Sequence, residues 1–275
     1  MSSKRITSRE YGLVFAQPLL NYIVGTRALH YGLWEEGVDV SFSNLNSALT
    51  AYSEFLLGHI PDGSKTVLDV GCGVGDLASR MKEMNLDVEC LSPSVLLNEE
   101  ARAFLGDVLV HDTRFEDFES DRQFDLLVFS ESFQYVKLSE VFSKCCDLLN
   151  PHGHVLICDK FRMTERGQSP IGGGHGYSKY LNQMKKDGFE IVSDIDMTNQ
   201  IAPTFDLIQD FCQKVLKPTA EKAEHIWRAN HPLLMKLFWG RVARKFAKQL
   251  HPERNARGFR DYNCYRLQVL QQRQA

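Results

Sequence analysis

Short apolar runs and helically spaced apolar residues take turns along most of the chain. The stretches Thr66–Val70, Val88–Leu91, Val108–Val110, Phe124–Phe129, His154–Asp159 and Phe189–Ile195 read as strands, the first and fourth as apolar runs rather than alternating patterns. That is the pattern of parallel strands buried on both faces. Between the runs lie stretches with helical spacing: Asp76–Met84, Leu138–Leu149 and Tyr177–Lys186. After the second run, Ser92 as N-cap and Pro93 at the first helical position predict another helix start. Ahead of the first strand, Ser43 caps a predicted helix whose Leu45, Ala48, Leu49, Tyr52, Phe55 and Leu56 share a face. This order predicts an α/β fold with a doubly wound, mostly parallel sheet.

Four segments follow from the pattern. Residues 1–60 read as an N-terminal helical lid segment and 61–197 as the Rossmann-like core. Residues 198–260 read as a helical insertion, with helices near Phe205–Leu216, Ala220–Asn230 and Pro232–Leu250. Residues 261–275 return to the sheet as its last strand.

Composition narrows the class. A chain of 275 residues that is 43% hydrophobic can bury a full core. The net charge of −3 points to neither nucleic acid nor a membrane surface. From Lys214 to Arg260, twelve Lys and Arg face three Glu, a local excess of nine. The 236–248 helix carries much of it, either as a solvated basic face or as a surface for weak contact with an anionic partner. Regular aromatic–basic interleaving is missing, so nucleic acid is not expected. Seven scattered cysteines without a C-x-x-C pair fit a reducing cytoplasm and predict no metal site. The apolar-leaning stretch Tyr11–Val24 is interrupted by Gln17, Pro18 and Asn21 and reads as neither a signal peptide nor a membrane span.

The strongest chemical signal is Val67-Leu68-Asp69-Val70-Gly71-Cys72-Gly73-Val74-Gly75. A buried strand ends beside a carboxylate, and three glycines at alternate positions permit a tight, positive-φ turn against which a ligand can lie. The spacing is not the G-x-G-x-x-G of dinucleotide sites, and no lysine follows as in a triphosphate loop. Asp69 would repel a pyrophosphate but suits a ligand carrying an ammonium or sulfonium. With the preceding L-D-V-G-C-G, the stretch resembles motif I of the class I S-adenosylmethionine-dependent methyltransferases. The resemblance runs from about Thr66 to Ile195. The segment His30-Tyr31-Gly32-Leu33-Trp34 is similar to the small-molecule branch: sugar O-methyltransferases, tocopherol methyltransferases and phosphoethanolamine methyltransferases.

This resemblance implies a seven-stranded sheet with an antiparallel last strand, and S-adenosylmethionine held by Asp69, Gly71, Cys72, Gly73 and Gly75. The acid that usually grips the ribose falls on Cys90, so Ser92 and Pro93 become the ribose candidates, with helix capping as the other reading of Ser92. Asp112 and Thr113 take the adenine position. Ser130 opens the loop beside the transferable methyl group. Where relatives often carry histidines, this loop has Gln134 and Tyr135, and Glu131 is the acid it retains, readable also as a salt-bridge partner. Tyr135 is a poor base near neutral pH and more suited to orienting the acceptor. His30, His175 on the glycine-rich loop 172–176, and Asp159 complete the catalytic candidates, Asp159 being equally readable as a turn residue. The composition of that loop predicts a mobile lid. The function implied is methyl transfer to an oxygen or nitrogen of a small-molecule acceptor by a cytoplasmic monomer or homodimer. The other readings are a catalytically silent cofactor-binding subunit and, further off, a protein or RNA methyltransferase.

Overall fold

The computed structural model describes residues 8–230 and 250–273. The expected 236–248 basic helix lies outside the described residues. In chain order the elements are α1 (Ser8–Val24), α2 (Phe42–Leu57), β1 (Thr66–Val70), α3 (Asp76–Glu83), β2 (Asp87–Leu91), α4 (Val95–Leu105), β3 (Val110–His111) and β4 (Phe124–Ser130). Next come α5 (Val141–Leu148), β5 (Leu149–Arg162), β6 (His175–Gly176), α6 (Tyr177–Lys186), β7 (Phe189–Asp196), α7 (Thr198–Ile201) and α8 (Pro203–Phe211). A π-helical turn, Cys212–Leu216, leads into α9 (Lys217–Asn230), and the short helix Ala256–Tyr262 precedes β8 (Asn263–Gln272).

The sheet order is β3-β2-β1-β4-β5-β8-β7, with β6 paired to the end of β5. The pairs from β3 to β5 are parallel, and β8 runs antiparallel between β5 and β7. The central runs Val67–Val70, Leu126–Phe129 and Val155–Cys158 are buried without a break because both faces are covered. Val67, Leu126, Val128 and Leu156 join one buried cluster with Leu77 and Met81 of α3 and Tyr52 of α2. Leu68, Leu127, Phe129 and Ile157 point the other way, to Phe142 of α5 and Tyr180 of α6. Each such side chain, fully buried, contributes about 1.5–3 kcal/mol. The exposed ion pairs contribute about 0–1 kcal/mol each, so the two-sided core sets the architecture.

Three local starts differ from the sequence reading. The helix after β2 begins at Val95 with Ser94 as its N-cap, not Ser92. Ser92 is still tied to the sheet through its N–H to the His111 carbonyl, and its hydroxyl accepts from Ser94 N–H at 3.2 Å. Pro93 therefore precedes the helix rather than opening it. Likewise α2 starts at Phe42, with Ser41 rather than Ser43 at its boundary. The fifth strand starts at Leu149, the predicted end of the preceding helix, rather than at His154; early in it the pairing shifts between Phe124 and Leu126 and His152 takes φ +68°.

The segment between α1 and α2 is pinned to the helices that follow β7. Trp34 Nε1 donates to the Thr204 hydroxyl at 2.9 Å, and Trp34 N–H donates to the Gln200 carbonyl at 2.9 Å. Ala28, Trp34, Leu45 and Leu49 share a buried cluster with Leu207 of α8. Among the described residues, no helix is long and apolar enough to cross a membrane.

Candidate functional site

At the carboxyl ends of β1, β2 and β4 lies a cavity of about 1170 Å³. Its floor is the glycine turn, where Gly71, Gly73 and Gly75 all have positive φ, at +83°, +57° and +85°. Their uses differ. A Cβ on Gly71 would stand 2.4 Å from Ser132 Cβ, and one on Gly75 would stand 2.7 Å from Leu105 Cδ1. These two let the turn pack against the protein. Gly73 meets only Leu29, at 3.6 Å, and lines the cavity with Gly71 and Cys72; Gly75 does not line it.

Asp69 stands above this floor. Its side chain is 2% exposed, and its Oδ2 has no hydrogen-bond partner. Burial pushes its carboxyl up to about 7. At the next strand, pleating places Glu89 on the face opposite Cys90. Glu89 is engaged there by His111 Nε2 at 2.7 Å and by the Arg122 guanidinium at 2.6 Å. The cavity wall at this end is instead Leu91, Ser92, Pro93 and the first residues of α4. Thr113 lines the cavity while Asp112 does not: Asp112 Oδ1 accepts from Asn98 Nδ2 at 2.7 Å and pairs with Arg102 at 2.8 Å.

The other end is built by the loop after β4. Ser130, Glu131 and Tyr135 line it, together with His30 from the N-terminal segment. Glu131 holds φ +53°, a left-handed conformation costly for a non-glycine residue. Its Oε1 accepts from Tyr31 N–H at 2.7 Å and from the Tyr265 hydroxyl at 2.9 Å. Tyr265 meets the Tyr52 hydroxyl at 2.9 Å, which in turn meets Ser130 Oγ at 3.1 Å. Burial raises the Glu131 carboxyl to about 8; the bonds from Tyr31 and Tyr265 oppose that rise. Lys160, itself buried, donates to the Tyr31 hydroxyl at 3.2 Å.

The remaining candidates serve this loop rather than the cavity. Asp159 accepts from Gln134 N–H at 2.9 Å, from Gln134 Nε2 at 3.1 Å and from Lys160 N–H at 2.7 Å. Both side chains are outside the cavity lining, and burial raises the Asp159 carboxyl to about 6. His175 Nε2 donates to the Phe133 carbonyl at 3.1 Å, and the loop that carries it is paired to β5 as β6. His175 also lies outside the lining; the glycines 173 and 174 pack against Gln134 and Lys160. The glycine-rich loop is thus a latch on the strand-four loop. His30 does line the cavity, but both ring nitrogens are engaged, with the Tyr31 carbonyl at 2.9 Å and Ser53 Oγ at 3.1 Å. Burial drops it to about 4, which makes it a weak base. Tyr135 is half exposed, and burial of its hydroxyl raises it to about 12.

Sequence reading did not bring Tyr52, Tyr265 or Lys160 to the site; it set Tyr31 in the N-terminal segment and kept Glu131 as the loop's acid without counting it among the catalytic candidates. The signal present was the acid kept on the loop after β4. Among the described residues, no group of three or more His, Cys, Asp and Glu side chains is arranged to hold a metal ion.

The residues present fit the cofactor that the glycine turn implies. Asp69, whose buried Oδ2 has no partner, lines the same cavity as Gly73, and a cationic ligand group would supply what that carboxylate lacks.

Comparison with known proteins agrees with this geometry. A family model described as a methyltransferase domain matches residues 43–194, more than half of the chain. A protein of Staphylococcus carnosus (strain TM300) described as an uncharacterized methyltransferase is 23% identical over 168 residues, covering 58% of this chain and 79% of its own. The geranyl diphosphate C-methyltransferase of Streptomyces coelicolor A3(2), solved with Mg2+, geranyl-S-thiolodiphosphate and S-adenosyl-L-homocysteine, superposes with a TM-score of 0.67 at 16% identity, covering 94% of this chain and 92% of that one. The cyclase SpnF superposes with a TM-score of 0.69 at 18% identity, covering 98% of each chain. The structural likenesses are of fold. The chain belongs to the methyltransferase-domain family and has the α/β fold of the class I S-adenosylmethionine-dependent methyltransferases.

Proposed function

We propose that the protein transfers the methyl group of S-adenosylmethionine to a hydroxyl or amine of a small-molecule acceptor, with Glu131 taking the acceptor's proton. The observation that carries this reading is the contrast between two of the carboxyls lining one cavity: Asp69, whose Oδ2 has no partner at the glycine turn, and Glu131, held by two donors at the strand-four loop. The cofactor supplies an electrophilic methyl group on a sulfonium. The chain then has to position, exclude water and move a proton. Asp69 anchors the amino-acid end of the cofactor, Gly73 lets that end lie against the backbone, and Ser92 with Pro93 walls its ribose. Thr113 borders the adenine, and the engaged Asp112 holds that loop through Asn98 and Arg102. Glu131, with its carboxyl at about 8, is a stronger base than an ordinary carboxylate and is held in place before any acceptor arrives. Tyr135, beside it and half exposed, orients the acceptor.

A second reading is favoured by the absence of a free histidine at the strand-four end: a chain that binds the cofactor and transfers nothing. Incubation with methyl-labelled S-adenosylmethionine and a panel of hydroxylated and amine metabolites separates the two. The methyltransferase reading expects label in an acceptor, with a mass gain of one CH2. Binding of S-adenosylhomocysteine without label transfer to any acceptor class would support the silent chain.

A further inference from the structure

Two charged side chains of opposite sign have buried atoms without partners, and both line the same cavity. Among the described residues, the ionisable groups left in this state are Asp69, at Oδ2, and Arg27, at Nε. Burial is what raises the Asp69 carboxyl. Arg27 sits just after α1, two residues beyond Gly25, which turns the chain at φ +71°. Its guanidinium lies 4.3 Å over the Phe104 ring of α4. Its one recorded hydrogen bond, to the Val74 carbonyl in the glycine turn, is at the 3.5 Å limit. A guanidinium has five donors and stays charged at any physiological pH. Held by stacking and one weak contact over the turn, it has donors to spare for an anion.

A ligand that answers both residues carries a cation and an anion on one small frame, as an α-amino acid does. The amino-acid end of S-adenosylmethionine is such a frame, so the inference rests on the cofactor reading above. We propose that Arg27 binds the α-carboxylate of the cofactor, across the glycine turn from Asp69 at its α-ammonium. The same segment brings Leu29 over Gly73 and His30 to the cavity wall. Cofactor binding then fastens the N-terminal segment to the turn, and the site discriminates against cofactor analogues that lack the carboxylate.

Calorimetric titration tests this without turnover. Arg27→Gln is expected to weaken S-adenosylhomocysteine by roughly 10- to 100-fold, the loss typical of a hydrogen bond to a charged group. It is expected to leave 5′-methylthioadenosine, which has no amino-acid end, within about 3-fold, because nothing Arg27 touches has been removed. Wild-type protein is expected to prefer S-adenosylmethionine to its decarboxylated form by a similar factor, and this comparison stands even if the variant does not fold. Equal losses for S-adenosylhomocysteine and 5′-methylthioadenosine, or no preference for the carboxylated cofactor, would overturn the assignment. Absence of any S-adenosylhomocysteine binding by the wild type would overturn the cofactor reading itself, a result distinct from both.

Discussion

At the glycine-turn end of the cavity, Asp69 Oδ2 and Arg27 Nε are buried without partners, while at the strand-four end Glu131 already accepts from Tyr31 and Tyr265. An unmet buried polar group costs about 1–3 kcal/mol. Such a cost is tolerated where a ligand repays it, which is the reading proposed for the first end. The second end is complete in itself. Its carboxyl is oriented by residues from the N-terminal segment and from the last strand, and the hydroxyls of Tyr265, Tyr52 and Ser130 close a ring behind it. On the proposed reading, the ionised Asp69 binds the cofactor and Glu131 exchanges a proton with the acceptor.

The sharpest way to break this contrast is Glu131→Gln. It is expected to lower methyl transfer by about 100-fold or more, the usual worth of a positioned base, while leaving S-adenosylhomocysteine affinity within about 3-fold. In the wild type, transfer is expected to rise as pH increases through about 8, where the Glu131 carboxyl ionises. A variant that lost cofactor affinity and rate together would erase the distinction between the two ends.

The floor of the cavity gives the next largest effect. Gly71→Ala places a methyl group against Ser132 at positive φ, and is expected to cost ~2–5 kcal/mol from overpacking and the left-handed penalty. Gly73→Ala meets only Leu29, at ordinary contact distance, and carries only the backbone penalty, ~1–2 kcal/mol. Thermal melts of the ligand-free variants check the order, since each kcal/mol shifts the midpoint by roughly 2–4 °C in a chain of this size. Equal melting temperatures would contradict the division of labour within the turn.

Tyr265→Phe gives the smallest effect and sharpens the comparison most. The lost hydroxyl helps to stabilise ionised Glu131. Its removal raises that carboxyl further, so the rising limb of the pH–rate profile is expected to move to higher pH. The accompanying rate loss is expected to be roughly 3- to 10-fold, the worth of one hydrogen bond. A reduced rate with an unmoved profile would mean that Tyr265 only supports the fold.

The sheet and the glycine turn were legible because each rests on adjacent residues. Runs such as Leu126–Phe129 announce a strand buried on both faces, and Gly71, Gly73 and Gly75 after β1 announce a tight positive-φ turn. Ser92 misled as a cap because its N–H is committed to His111, a partner supplied by the neighbouring strand. The glycine-rich loop read as a mobile lid from its composition, yet pairing with β5 and the bond from His175 to Phe133 hold it down. Glu131 and Arg27 were the hardest to see. Their proposed roles come from Tyr31, Tyr265, Val74 and Phe104, residues that all lie between 47 and 134 positions away. No local spacing reports such meetings.

The measurement that bears most directly on the account is titration of S-adenosylhomocysteine into wild type and Asp69→Asn across neutral pH. Asp69 ionises near 7, and the ionised form is the one that attracts an ammonium. Wild-type affinity is therefore expected to weaken as pH falls below about 7 and to level off above it, while Asp69→Asn binds roughly 10-fold more weakly at high pH, with that pH dependence gone. Equal affinities for the two proteins throughout would contradict the assignment of the glycine turn as the cofactor site.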